Sequence, residues 1–177
     1  MYLRSKVTRR LATVAATIAV VAASASVSVP VQAATTTPFD LQSHRGGRGE
    51  HTEESLYGFA RSIELGVTTL ELDIVLTKDN VPLIWHDPTV QDDKCTDTAP
   101  AKPGDKQFPY VGKTIHDLTF AQIQTLTCDK TLAKFPDAKP VTGNKIATLP
   151  QLFRIVSEYK GNKVRFNIET KMGLLHE

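Results

Sequence analysis

Cysteine is scarce in this chain: its 177 residues hold two, Cys95 and Cys128. With no pair of histidines beside them they make a poor zinc site. Acidic residues are missing from residues 1–34, and a basic excess is missing from everything that follows. Residues 1–34 hold four of the 21 Lys and Arg and none of the 19 Asp and Glu, so the remainder sets 17 basic against 19 acidic residues, a net charge of −2. No cationic stripe remains, which excludes nucleic acid as an expected partner.

What the first 34 residues do contain is Arg4, Lys6, Arg9 and Arg10, then the apolar run LATVAATIAVVAASASVSV, then small residues around Val31-Gln32-Ala33-Ala34. That order predicts a secretory signal peptide over residues 1–34, a secreted protein, and no stable membrane span once the leader is removed. A single membrane anchor is the competing reading, disfavoured by the Ala and Ser content of the run and by the cleavage-like site after it. Arg9-Arg10 is compatible with twin-arginine export as well as with the Sec route. In an exported chain a Cys95–Cys128 disulfide is favoured over two free thiols.

Residues 35–177 are expected to form one domain. Phe39 to His44 reads as a first strand ending in Ser43-His44-Arg45-Gly46-Gly47, whose glycines let backbone pass close to a ligand. Glu53 to Leu65 reads as an amphipathic helix, with Leu56, Phe59, Ala60 and Ile63 as its stripe, Thr52 as cap and Gly66 as stop. Regular signals are then sparse from Pro88 to Ala147, where one short helix fits from Phe120 to Leu126 behind Thr119. Prolines 100, 103, 109, 136 and 140 make the rest an elaborated surface loop, long enough to suggest a substrate-facing role. A helix from Pro150 to Lys160 follows, burying Leu149, Leu152, Phe153, Val156 and Tyr159 and stopping at Gly161, and a last strand runs from Val164 to Lys171.

The densest signal is Leu70 to Asp87, LELDIVLTKDNVPLIWHD. Leu70, Leu72, Ile74 and Leu76 alternate with Glu71 and Asp73, so both acids share one face of a strand. A tight turn at Asp79-Asn80 sets the pairing so that Asp73 faces His86. Two carboxylates and an imidazole on one patch suit a divalent cation and proton transfer. The plainer reading is a half-exposed strand with acids on its wet face and a histidine as its polar terminus.

Strand, helix, strand, loop and helix, strand is α/β order, with polar groups repeatedly at the C-terminal ends of strands, where a barrel enzyme keeps its chemistry. A complete barrel takes about 250 residues, and removal of the 34-residue leader from 177 leaves 143. The expected fold is therefore α/β, a TIM-type (β/α) barrel of which the N-terminal part is present, its last strand carrying an unpaired edge.

His44-Arg45-Gly46, Thr52-Glu53-Glu54-Ser55, Glu71-Leu72-Asp73, Thr77-Lys78-Asp79, His86-Asp87 and Ile168-Glu169-Thr170-Lys171 together resemble the glycerophosphodiester phosphodiesterase family. The resemblance runs from Leu41 to Lys171 and thins across the middle loop. It implies a divalent metal, Ca²⁺ or Mg²⁺, and cleavage of a small-molecule glycerophosphodiester to glycerol 3-phosphate and an alcohol. By motif it implies Glu71, Asp73 and Glu169 as metal ligands, His44 and His86 as general acid and base, and Arg45 and Lys171 as phosphate partners.

Two positions depart from the family pattern. The usual Pro-Glu-Asn-Thr is Thr52-Glu53-Glu54-Ser55, where Glu53 reads first as a helix-start acid favoured by the dipole. The usual glycine after the turn aspartate is Asn80, which tolerates positive φ. Arg45 and Lys171 also read as solvated strand-end charges, and Glu169 as the partner of Lys171. Two alternatives to the implied activity stand: a related phospholipase D-like enzyme acting on sphingomyelin or lysophospholipids, and an inactive metal- or phosphate-binding remnant.

Overall fold

The structure, a computed structural model, describes residues 39–159 and 163–171. The expected leader over 1–34 and the expected helix stop at Gly161 lie outside the described residues. Among the described residues no helix is long and apolar enough to cross a membrane.

The sheet is organised around β2 (Thr69–Leu76), which runs parallel to β1 (Gln42–Ser43) and to β4 (Arg165–Thr170) and antiparallel to β3 (Pro82–Ile84). β4 pairs with residues Thr69 to Ile74 of β2 along one edge. β1 meets Thr69 and Leu70, and β3 meets Ile74 to Leu76, so both occupy the other edge and leave a notch between them beside Glu71 and Asp73. Helix α1 (Leu56–Glu64) and helix α3 (Leu149–Glu158) cover one face. There Phe59, Leu70, Leu72, Ile84, Leu152 and Val156 form a buried cluster. With parallel strands and these helices, the described elements are part of a TIM-type barrel, as expected.

Local chemistry explains the element ends. Helix α1 begins at Leu56 and not at Glu53, because Glu54 lies in the left-handed region (φ 55°) and cannot continue a helix. The cap is accordingly Ser55, whose hydroxyl accepts the Gly58 N–H at 3.1 Å, and not Thr52. Gly66 (φ 80°) ends the helix as expected. Thr148 with Gln151, and Thr119 with Gln122, form capping boxes at α3 and at the short α2 (Phe120–Ile123). The first strand is shorter than the expected Phe39 to His44, because the chain turns sharply at His44–Gly46, where Arg45 and Gly46 have positive φ.

On α3, Leu152 and Val156 are buried as expected, but Phe153 and Tyr159 are 45% and 44% exposed. Phe153 meets Phe166 of β4 edge-on, with centroids 5.2 Å apart. Ile168 of β4 is likewise 37% exposed, since β4 pairs only with β2 among the described residues.

Two expectations are corrected. The hairpin turn holds three residues, Lys78, Asp79 and Asn80: Thr77 N–H donates to the Val81 carbonyl at 3.1 Å and Asn80 has φ 59°. The Thr77 hydroxyl bonds Asp79 and accepts the Val81 N–H, which favours the longer turn with a left-handed third residue. Asp73 is therefore opposite Trp85, whose N–H donates to the Asp73 carbonyl at 3.0 Å, and not opposite His86. A one-residue slip in a continuing strand turns a side chain to the other face. Here β3 ends at Ile84 and the chain bends through His86 to Pro88, which returns His86 to the rim.

The segment from Pro88 to Ala147 is likewise more than a surface loop. Val90, Tyr110, Ile115, Leu118, Ile123 and Leu126 are buried with Leu83 and Trp85 in a second cluster. Cys95 and Cys128 belong to the same cluster and are disulfide-bonded, as expected. Aspartates join isolated bridges as backbone partners: Asp97 accepts the N–H groups of Tyr110 and Val111, and Asp105 accepts the Gln107 N–H.

Candidate active site

The site grows out of the notch in the sheet. Arg45, Gly46 and Gly47 have φ of 49°, 67° and 85°, so the chain reverses in left-handed conformations directly after β1. The turn is packed too tightly for side chains: a Cβ on Gly46 meets the Phe59 ring at 3.1 Å, and one on Gly58 meets the Gly46 carbonyl oxygen at 2.5 Å. Helix α1 thereby presses the turn into the notch. The Arg45 N–H donates to the Glu71 carboxylate at 2.7 Å, and the Asp73 N–H donates to the Glu54 carboxylate at 3.1 Å. Glu54 does there what a neighbouring strand would do.

Glu71 and Asp73 project from β2, and Glu169 from β4 in register with Asp73. One oxygen from each lies within 4.8 Å of the others. Asp73 is 1% exposed and neither of its oxygens takes a hydrogen bond, although Arg45 Nε approaches one at 3.1 Å and Lys171 Nζ the other at 3.2 Å. Three hard oxygen donors, of which the buried Asp73 has both oxygens without a hydrogen bond, fit a divalent cation such as Ca²⁺ or Mg²⁺.

His44 Nε2 lies 3.9 Å from Glu71, on a ring 60% exposed at the rim. His86 Nδ1 lies 3.0 Å from Asp87. The Lys171 hydrogen bond and then its charge, with smaller contributions from the nearby His86 and Arg45, hold the Glu169 carboxyl below its usual range against partial desolvation. Burial opposes the charge on Lys171, and its hydrogen bond to Glu169 and its ion pair with Asp73 outweigh burial and hold its ammonium above the ordinary lysine value. Every residue expected at the site thus converges on one rim. Arg45 and Lys171, expected to face phosphate, are each ion-paired to Asp73 here.

Residues that the sequence did not single out complete the rim. Arg48 reaches Glu53 at 2.8 Å, and Arg45 reaches the same oxygen at 3.5 Å, so Glu53 is a buried ion-pair partner more than a helix-start acid. Lys94 bonds both Glu53 and Asp87. Burial, then the charges of Asp73 and Glu53, push the Glu54 carboxyl well above its ordinary value. Arg45, Arg48, His86, Asp87 and Lys94 line an open cavity of about 340 Å³ with Leu132 to Lys134. Glu53, Glu54 and Asp87 stand within the short motifs of the sequence. Arg48 and Lys94 belong to no periodic pattern.

Fold and site together define a barrel protein with an acidic, cation-ready centre at its rim. Residues 44–177 match the glycerophosphoryl diester phosphodiesterase family, and the chain belongs to that family. It is 30% identical over 132 residues to the glycerophosphodiester phosphodiesterase of Caldanaerobacter subterraneus subsp. tengcongensis, covering 75% of this chain and 45% of that protein. It is 42% identical to the human lysophospholipase D GDPD1 over 45 residues, 25% of this chain and 14% of that protein. A solved structure from Silicibacter pomeroyi assigned as a glycerophosphoryl diester phosphodiesterase superposes with a TM-score of 0.60 at 26% identity, covering 76% of this chain and 46% of that one. The chain spans less than half the length of these relatives.

Proposed function

We propose that this protein is a metal-dependent phosphodiesterase that hydrolyses small glycerophosphodiesters to glycerol 3-phosphate and an alcohol. The observation that carries this reading is the convergence of Glu71, Asp73 and Glu169 within 4.8 Å, with two imidazoles and two cations at the same rim. In it Glu71, Asp73 and Glu169 would hold a divalent cation, Ca²⁺ or Mg²⁺, which would supply Lewis acidity at the phosphate. Arg45 and Lys171 add positive charge beside the phosphate as negative charge builds on it.

His44 and His86 move the protons. With Nδ1 tied to Asp87, His86 keeps Nε2 for transfer, and His44 stands open to substrate beside Glu71. One imidazole takes the proton of the glycerol 2-hydroxyl as its oxygen bonds to phosphorus. The other protonates the alkoxide that leaves. Water then opens the cyclic phosphate, with the proton traffic reversed.

Residues 1–34 act as an export signal in this reading, and the protein works outside the cell. The leader's acid-free basic start and apolar run support this, and so does the disulfide. Purified full-length protein should release glycerol 3-phosphate from glycerophosphocholine with Mg²⁺ or Ca²⁺, and lose the activity on chelation and in His86→Ala. A lysophospholipase D activity is the second reading, favoured by the 45-residue likeness to the human enzyme of that name. Release of choline from lysophosphatidylcholine without turnover of glycerophosphocholine would select it. Metal binding without turnover of either substrate would sink both.

A further inference from the structure

Asp87 is the only protein group bonded to His86 among the described residues, and it is itself held from behind. Its Oδ1 faces His86 Nδ1, while its Oδ2 takes the Lys94 ammonium. Lys94 bonds Glu53 as well, and Glu53 binds Arg48 and Arg45, whose Nε lies against Asp73. One unbroken series of ion pairs therefore links the acid cluster to the imidazole, and Lys94 closes it.

The rest of the molecule is arranged to hold Lys94 still. It is 7% exposed and its ammonium sits over the Trp85 ring, 5.0 Å from the centroid. Its carbonyl accepts the Lys130 N–H, and the next residue, Cys95, is bonded to Cys128. A buried ammonium is costly unless it is fully paired, and an apolar residue at such a place is often at least as stable. An aliphatic chain over Trp85 would satisfy packing alone, whereas a lysine here fixes the rotamer of Asp87.

We infer that Lys94 is a positioning residue for His86, acting through Asp87 to fix the Nδ1–H tautomer and leave Nε2 as the proton-transferring atom. The inference rests on the catalytic role of His86 proposed above. It makes the disulfide-bonded 88–147 segment a working part of the site, since Lys94 comes from that segment and is anchored beside its disulfide.

The test is steady-state kinetics of full-length Lys94→Met, Lys94→Arg, Asp87→Asn and the Lys94→Met/Asp87→Asn double variant, with glycerophosphocholine and Mg²⁺. Lys94→Met is expected to lower kcat about ten- to a hundredfold with KM nearly unchanged, because orientation of a reacting group is lost while substrate contacts remain. Lys94→Arg should restore most of the rate, and the double variant should be no slower than Asp87→Asn alone. Losses that multiply in the double variant, a rise in KM alone, or an undiminished kcat would each overturn the assignment.

Nitrogen-15 spectra of the His86 ring at a pH where it is neutral give a readout independent of turnover. A single Nδ1–H tautomer in the wild type that becomes a mixture in Lys94→Met, with thermal unfolding still cooperative, supports the role. Identical spectra refute it. An inactive wild type with the expected spectra refutes the proposed reaction and not the positioning.

Discussion

Gly58→Ala tests whether the site depends on how closely α1 approaches the turn after β1. In an isolated helix the change should help, since alanine is favoured over glycine by up to about 1 kcal/mol. At this position the new Cβ lies 2.5 Å from the Gly46 carbonyl oxygen, where ordinary contact begins at 3.4 Å, so backbone must separate by about 0.9 Å. Overpacking of this kind costs about 1–3 kcal/mol, which leaves a net loss of about 0–2 kcal/mol. Activity is the more sensitive readout. The turn that moves carries Arg45, which hydrogen-bonds Glu71 and is ion-paired with Asp73, and a misplacement near 1 Å at a reacting centre costs about a hundredfold in rate. Denaturant unfolding together with kcat/KM measures both effects. Gly49→Ala, where nothing lies within 4 Å of the added methyl, is the control expected to change neither. A Gly58→Ala protein that gains about 1 kcal/mol of helix stability and keeps full kcat/KM would refute the argument.

Thermal unfolding of the wild type should rise on addition of Mg²⁺ or Ca²⁺, by about 2.7 kcal/mol at a hundredfold excess over Kd, and Asp73→Asn should abolish the rise. Replacing both Cys95 and Cys128 by serine removes a link across 33 residues and should cost about 3–4 kcal/mol in denaturant unfolding, with the largest effect on the 88–147 segment by hydrogen exchange. Asp40 accepts hydrogen bonds from Thr69, Thr68 and Gln42 and pairs with Arg165, which together hold its carboxyl far below the ordinary 3.8. A depressed carboxyl contributes stability above its unfolded value that is lost as pH falls through the folded one. The wild type should therefore lose stability more steeply than Asp40→Asn below about pH 4, as read by thermal unfolding across pH.

Much was legible where chemistry is local. Alternation from Leu70 to Leu76 placed Glu71 and Asp73 on one face because side chains in a strand alternate whatever lies beside it. Gly66, Thr119 and the glycines after His44 marked element ends through their own backbone preferences. The order of short motifs then identified the seven residues that the fold brings to one rim.

What depended on particular side-chain contacts, near or far along the chain, was not legible. The hairpin register turned on one extra residue in the turn, decided by Thr77 and Asp79 side-chain bonds that a dipeptide preference does not contain. The core of the 88–147 segment was hidden because its apolar residues follow no period: isolated bridges between distant residues, a disulfide and aspartate side chains hold its backbone in place of long strands. Glu54 and Lys94 acquire meaning only from what faces them, a backbone N–H in a sheet notch and a pair of carboxylates. The sequence by itself determined which side chains are available for chemistry and which face of β2 carries them, because those follow from residue type and a fixed local geometry. Tertiary structure alone decided which of them touch, because closing a notch or joining two buried charges depends on packing between segments tens of residues apart.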